Sequence, residues 1–400
     1  MAFGDGTDDG TDDEASVFRE PPLPDDRLWR HPSEVSVSAR RPPRGHSWAV
    51  AMGAGCVGAL VATGVIAATG GLRRDVTVIR PTASTTAAER LSAQPPTDLE
   101  VVQIADQAKR AIAQVRVTTA DGPANGSGVM LRSDGHVLTN WHLVDGAQQI
   151  TVVMASGTER PGHVVGSDRD TDIAVVKVEG GPYQMADFGT ASLLKIGQRA
   201  IALGSPLSPK GSPSVTAGVV SALHRQVDTS DGSLLLDMIQ TDSPISPGSS
   251  GGALLDGTGS VIGITTSIGL SAVGAEGLGF ATPIETARMV ADRLIATGRF
   301  VHVWLGVEGS DLDGATATRL GVDGGALIDK VLVDGPAERA RLAPRDVIVA
   351  IEGEVVTTMG ALVVNLRGRA PGDVIVLDVI RDARERDVRV SLSERPTSPS

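Results

Sequence analysis

The segment Gly248-Ser249-Ser250-Gly251-Gly252 sets hydroxyls between glycines. Glycine accepts the tight turns that expose a neighbouring serine, and it lets backbone N–H groups point at an incoming carbonyl oxygen. Flexible loops contain such strings often, so the segment gains meaning only with a base and an orienter. The chain has seven histidines, and six sit in contexts without an evident partner. His142 differs, because it ends a predicted strand in Leu138-Thr139-Asn140-Trp141-His142-Leu143-Val144. An imidazole with an ordinary pKa of ~6.5 can take a hydroxyl proton near neutrality. Asp172 stands directly before the apolar run Ile173-Ala174-Val175-Val176, where a carboxylate can be held rigidly; Asp168 and Asp170 read as turn residues. Nucleophile, base and orienter together make an acyl-transfer set.

The elements around these residues are short. Val115–Val117, Gly128–Leu131, His136–Thr139, Ile150–Val153, Ile173–Val178, Ala200–Leu203, Val219–Ala222 and Val261–Ile264 are β-branched and separated by Gly, Asp and Ser. Many short strands with frequent turns predict antiparallel barrels. A helix is expected from Asp98, with Val101, Ile104, Ala108 and Ile112 near helical spacing, and another over Pro283–Thr297. Residues 303–393 read as a small α+β unit. Its strands are expected at Trp304–Val307, Ala326–Val333, Asp346–Ile351, Val374–Val379 and Asp387–Leu392, and its helices near Ala337–Leu342 and Thr358–Leu366.

Composition narrows the function. The net charge is -12, which disfavours nucleic acid as a partner. A single cysteine, Cys56, excludes an intramolecular disulfide and a Cys-based zinc site, and no metal or cofactor is implied. Hydrophobic residues make up 41% but aromatics only 2%, so the cores must be built from Val, Ile, Leu and Ala. Residues 1–45 are acidic and then Pro-rich, and read as a disordered segment. Ser47–Leu72 carries no charge over 26 residues; as a helix it would span ~39 Å, enough to cross a bilayer. Arg40, Arg41 and Arg44 precede this run and Arg73 and Arg74 follow it, a bias that puts the N-terminus in the cytoplasm and the bulk of the chain outside. Residues 73–98 read as a linker and 394–400 as a tail.

The order His142, Asp172, Ser250 is that of chymotrypsin-type proteases. The segments Gly126-Ser127-Gly128-Val129, Leu138–His142, Thr171-Asp172-Ile173-Ala174-Val175, Gln240–Gly252 and Gly277–Pro283 resemble the HtrA/Deg family of serine proteases. The likeness covers about residues 101–393, and the apolar run and Pro-rich head resemble actinobacterial members. It implies a mostly β chain: two six-stranded antiparallel β-barrels over 99–298, a PDZ domain over 303–393 and an N-terminal transmembrane helix over 47–72. It also implies Ser250 as nucleophile, His142 as general base and then acid, and Asp172 as orienter. The backbone N–H groups of Gly248 and Ser250 would form the oxyanion hole, and Ile245 an aliphatic wall of the pocket for the residue before the scissile bond (P1). Asp242 lies at a position the family usually fills with Asp, so it does not argue for basic P1 residues. Two departures stand out: Ser249 and Trp141 occupy positions where members commonly carry Asn.

Leu305-Gly306-Val307 resembles the carboxylate-binding loop of such PDZ domains, in which a C-terminal peptide with an apolar last residue adds as a strand. Leu362 and Leu366, one helical turn apart, are candidates for its side-chain pocket. Arg345 replaces a customary turn glycine, so the turn must avoid positive φ or carry strain. The activity implied is endoproteolysis of unfolded or damaged extracytoplasmic proteins. The rival reading is a non-hydrolytic chaperone or scaffold that binds unfolded chains through the same cleft and groove. Members of the family often rest with a malformed oxyanion hole. They also tend to form trimers through aromatics near the start of the protease domain, yet no Phe, Tyr or Trp occurs between Leu99 and Gly126. A homo-oligomer therefore stays open.

Overall fold

The β-branched runs pair antiparallel into two closed barrels. The computed structural model describes residues 98–205, 213–246, 248–267 and 278–396. The head (1–45), the apolar run (47–72), nearly all of the linker (73–98) and the last residues of the tail lie outside the described residues. Among the described residues no helix is long and apolar enough to cross a membrane.

The first barrel is built from β1 (Ile112–Thr119), β2 (Gly122–Met130), β3 (His136–Thr139), β4 (Gln149–Val153), β5 (Glu159–Asp168) and β6 (Ile173–Val178), closed in the order β1-β2-β3-β6-β5-β4. The second uses β7 (Arg199–Gly204), β8 (Ser214–Asp228), β9 (Leu234–Thr241), β10 (Ala253–Leu255), β11 (Val261–Thr266) and β12 (Gly279–Pro283), closed as β10-β11-β12-β9-β8-β7. Four of these strands, β5, β9, β10 and β12, lie outside the runs expected from the sequence. β5 contains Glu159, Arg160, Pro161 and Gly162 and is mostly exposed, so closure of the barrel, not an apolar run, makes it a strand. Val115, Val129, Val137, Leu138, Val152 and Val175 fill the first core and are almost fully buried.

Helices brace the barrels. α1 (Asp98–Ala108) precedes β1, and α2 (Trp141–Val144) is a single turn after β3. α3 (Ile284–Thr297) begins after Pro283 and stops at Gly298, whose left-handed conformation (φ 76) lets its N–H donate to Leu294 O. Ile284, Ala287, Val290, Ala291 and Leu294 recur at helical spacing and join a core to which both barrels contribute.

Beyond α3 lies the α+β unit. In chain order it comprises β13 (Val303–Trp304), β14 (Val307–Asp311), α4 (Gly314–Leu320), β15 (Ala326–Val331), α5 (Pro336–Arg339), β16 (Val347–Ile351), β17 (Glu354–Val355), α6 (Met359–Leu366), β18 (Val374–Arg381), β19 (Arg384–Ser391) and β20 (Ser393–Glu394). Its main sheet runs β14-β15-β16-β18-β19, with β17 on β16, while β13 pairs with β20. The expected strand Trp304–Val307 is broken: Leu305 and Gly306 leave the ladder, and Gly306 turns through φ 79. α4 was not expected, because Gly-Ala-Thr-Ala-Thr carries no apolar stripe; the Asp313 side chain starts it by accepting the Thr316 N–H. Thr358 caps α6 in the same way, through Ala361.

Arg345 takes the strained alternative, with φ 74. Its N–H donates to Ile328 O at 2.7 Å. The next residue, Asp346, is buried and receives a bidentate pair from Arg381 at 2.5 and 2.6 Å. These bonds hold the turn in a conformation that a side chain disfavours by about 1–2 kcal/mol.

Candidate active site

The end of β3 and the start of β6 bring His142 and Asp172 together. The Asn140 side chain donates to Asp172 O at 2.9 Å, and the Trp141 N–H to the same oxygen at 3.2 Å. These bonds fasten the α2 turn to the residue before β6. Asp172 itself sits at φ 55, a left-handed conformation that aspartate tolerates better than most side chains. Its carboxylate is buried at 3% exposure. Both oxygens lie 2.9 Å from His142 Nδ1, and Oδ1 also accepts the His142 backbone N–H at 3.1 Å. From the second barrel, the Thr266 hydroxyl donates to Oδ2 at 3.0 Å. An ionised carboxylate can only accept, so Nδ1 carries the imidazole proton and Nε2 presents its lone pair.

Ser250 stands on the turn before β10. Gly248 adopts φ 89 and Gly251 φ 81. A Cβ on Gly251 would come within 2.2 Å of Ser127 O, so only glycine lets the turn seat against β2. Ser127 holds that seat: its N–H donates to Ser250 O at 2.7 Å, and its hydroxyl donates to Gly248 O at 2.8 Å while accepting the Ser205 N–H. The Ser250 N–H has no partner among the described residues. Ser249 contributes through its backbone, whose N–H donates to Ser246 O and whose carbonyl accepts the Thr265 hydroxyl.

No hydrogen bond joins Ser250 Oγ to His142 among the described residues. Instead Oγ lies 2.6 Å from Ser267 Oγ and accepts the Ser267 N–H at 2.9 Å. The base is oriented, and the hydroxyl is parked on its neighbour.

Beside His142 opens a cavity of about 320 Å³. Trp141 forms one wall, with the Arg169 guanidinium 5.1 Å from its ring centroid. Arg169 also pairs with Asp231 at 2.8 Å and donates to Ser233 at 3.1 Å, tying the β8–β9 turn to the rim of the first barrel. Hydrogen bonds from Thr229 and then Arg169 hold the Asp231 carboxyl well below the usual carboxylate range. Ile245 is half-buried against the second core, and its Cδ1 lies where a Cβ on Gly279 would come within 2.6 Å. The side chain thus fills the space that glycine leaves. Asp242 accepts the Val219 N–H at 2.7 Å, a structural bond.

Several residues of this neighbourhood had no signal as single positions. Thr266, Ser127 and Ser267 are ordinary hydroxyls until folding aims them at Asp172 and Ser250. Three histidines expected to lack partners have carboxylates: His136 with Asp134, His224 with Asp237, and His302 with Asp168 at 2.7 Å. Asp168 is correspondingly no mere turn residue; it is buried and also accepts the Thr171 hydroxyl.

In the α+β unit, the Leu305 and Gly306 N–H groups have no partner among the described residues, whereas both carbonyls accept bonds, from Ala337 and Leu332. Leu305 and Gly306 both line a groove of about 260 Å³ between β14 and α6, together with Leu362 and Leu366.

Two barrels with an Asp-held imidazole on one and a glycine-flanked serine on the other define a chymotrypsin-like peptidase fold, here followed by a PDZ domain. Residues 126–264 match the trypsin-like peptidase domain family, and residues 303–392 match the PDZ domain family. The chain is 36% identical over 273 residues to the probable periplasmic serine endoprotease DegP-like of Ectopseudomonas mendocina (strain ymp), covering 68% of this chain and 56% of that protein. It is 34% identical over 290 residues to the serine protease Do-like HtrB of Bacillus subtilis (strain 168), covering 68% and 63%. The solved structure of the HtrA-type protease AlgW with tripeptide superposes at a TM-score of 0.65 with 33% identity, covering 74% of this chain and 98% of that one. The chain belongs to the HtrA-type serine protease family. It spans just over half the length of the first of these curated relatives.

Proposed function

We propose that this chain is a serine endopeptidase in which Ser250 is the nucleophile, His142 the general base and then acid, and Asp172 the orienter. The observation that carries this reading is the grip of Asp172 on His142: two oxygens at 2.9 Å from Nδ1 and a third bond to the backbone N–H. A group held in this way presents Nε2 with its lone pair outward. Rotation of Ser250 away from Ser267 brings Oγ to Nε2. The hydroxyl proton then passes to Nε2 as Oγ attacks the peptide carbonyl carbon. The backbone N–H groups of Gly248 and Ser250 receive the oxyanion. His142 returns the proton to the leaving amine, and water, deprotonated by the same imidazole, releases the acyl group. Ile245 limits P1 to small or medium aliphatic side chains.

The PDZ domain is the peptide-recognition module, with Leu305, Gly306 and Val307 as its carboxylate loop and Leu362 and Leu366 as its apolar pocket. Substrates are unfolded or damaged proteins outside the cytoplasm, in keeping with the periplasmic naming of the DegP-like relatives. The uncharged run Ser47–Leu72 anchors the protease (99–298) and PDZ (303–393) domains to the membrane with the N-terminus in the cytoplasm. A reporter fused after Leu72 should be active only on the far side of the membrane; cytoplasmic activity would remove the anchor reading.

The parked hydroxyl of Ser250 also favours the second reading, a resting or non-hydrolytic scaffold. Labelling of the full chain with a serine-directed fluorophosphonate separates the two, run with and without a peptide for the PDZ groove. The label should reach Ser250 and vanish in Ser250→Ala with the fold retained, while Ser249→Ala keeps it. Absence of both labelling and peptide hydrolysis under either condition would leave the scaffold reading standing.

A further inference from the structure

The groove between β14 and α6 contains a cation that the carboxylate-loop reading does not use. Arg367 directly follows α6 and lines the groove together with Leu305, Gly306 and Leu366. It is only 8% exposed. The one hydrogen bond of its side chain among the described residues is from Nη1 to Leu236 O on β9, at a long 3.4 Å. A guanidinium has five N–H donors, and among the described residues no carboxylate lies within salt-bridge distance of this one. The other basic groups of the groove are engaged: Arg395 pairs with Asp170, and His302 with Asp168 at 2.7 Å. Burial pushes the Arg367 guanidinium below its ordinary value, and Asp237, Asp168 and Asp170 oppose this only from a distance.

A buried arginine without a counter-ion is costly to keep charged, and leaving it so makes sense where an anion arrives from outside. The neighbouring loop offers the complementary half of such a site, the unpartnered N–H groups of Leu305 and Gly306. Glycine is favoured there, since φ 79 strains a side chain and its Cβ would sit a tight 3.0 Å from Gly335 Cα. We propose that Arg367 is the counter-ion for the terminal carboxylate of a peptide bound in this groove. This rests on the carboxylate-loop reading and deepens it. The carboxylate is held by the loop N–H groups from one side and by the guanidinium from the other. The apolar last side chain packs on Leu362 and Leu366. The anion also draws Arg367 from its weak bond to the Leu236 carbonyl, so the PDZ ligand and the second barrel compete for one guanidinium.

The test measures binding of a fluorescein-labelled decapeptide ending in valine to the full chain, as free acid and as C-terminal amide, by fluorescence anisotropy. The native chain should prefer the acid. Arg367→Gln should weaken acid binding by about tenfold or more and leave amide binding unchanged, so that the acid preference collapses. Arg367→Lys should keep part of the preference, because it restores charge without the fork. If the native chain prefers the acid and Arg367→Gln keeps the full preference, the role of Arg367 is refuted and the carboxylate-loop reading survives. If the native chain binds acid and amide equally, both fall. Should Arg367→Gln lose its cooperative unfolding transition, Arg367→Lys decides: a reduced acid preference supports the counter-ion, and an undiminished one overturns it.

Discussion

Replacing Ser267 with alanine should raise the basal rate of hydrolysis. Ser250 Oγ is held by two bonds from Ser267, a hydroxyl contact at 2.6 Å and the backbone N–H at 2.9 Å. For His142 to act, Oγ must give up both. Ser267→Ala deletes the hydroxyl and keeps the N–H, so it removes one of the two restraints. A neutral hydrogen bond of this kind contributes about 0.5–1.5 kcal/mol net. Relieving it should therefore raise kcat/KM by about 2- to 10-fold. The substitution leaves the Asp172–His142 pair and the Thr266 bond untouched, since neither involves Ser267. The assay is hydrolysis of a fluorogenic peptide with alanine or valine at P1, without and with a saturating PDZ peptide. The gain should be largest without the PDZ peptide, where the parked hydroxyl dominates. Fluorophosphonate labelling rates should rise in parallel, because both reactions need a free Oγ. An unchanged or lower rate with an intact fold would refute the reasoning: Ser267 would then not restrain the nucleophile.

Ile245→Ala should enlarge the P1 pocket proposed above, since it empties the space beside Gly279; relative kcat/KM for leucine over alanine at P1 should rise by about tenfold, as expected of added methylenes in an apolar pocket, and an unchanged ratio would place Ile245 outside that pocket. Arg345→Gly should stabilise the PDZ domain by about 0.5–1 kcal/mol in urea unfolding: relief of φ 74 is worth about 1–2 kcal/mol, and the freer unfolded chain returns part of it. A loss of stability would mean that the arginine side chain does more than occupy the turn. Glu285→Gln should destabilise by about 1 kcal/mol at pH 7. Burial alone would raise the Glu285 carboxyl, but bonds from Thr190, Ala191 and Ser192 outweigh it and hold the folded group below its ordinary value. Its stabilisation is thus present above the unfolded pKa and lost as pH falls through the folded one, so the two chains should converge in acid; a difference that persists there would remove the ionic origin.

The residues of the proposed catalytic set were legible in the sequence because the contexts that mark them are local. A serine between glycines, a histidine at a strand end and an aspartate before an apolar run each advertise a backbone context as well as a functional group. The barrel strands with strong β-branched runs were legible for the same reason, as was α3 with its proline start. What only the tertiary structure decided is whatever depends on residues far apart in the chain. β5 is a strand because a barrel must close, not because Glu159-Arg160-Pro161-Gly162 favours extension. Thr266 supports Asp172 across 94 positions, and Ser127 fastens the Ser250 turn across more than a hundred. The parking of Ser250 on Ser267 follows from a side-chain rotation, which no residue spacing encodes. Arg367 is the clearest case. In the sequence it is one more basic residue after a helix; burial against β9 turns it into a cation without a counter-ion among the described residues, because desolvation is a property of the assembled surfaces and not of the chain.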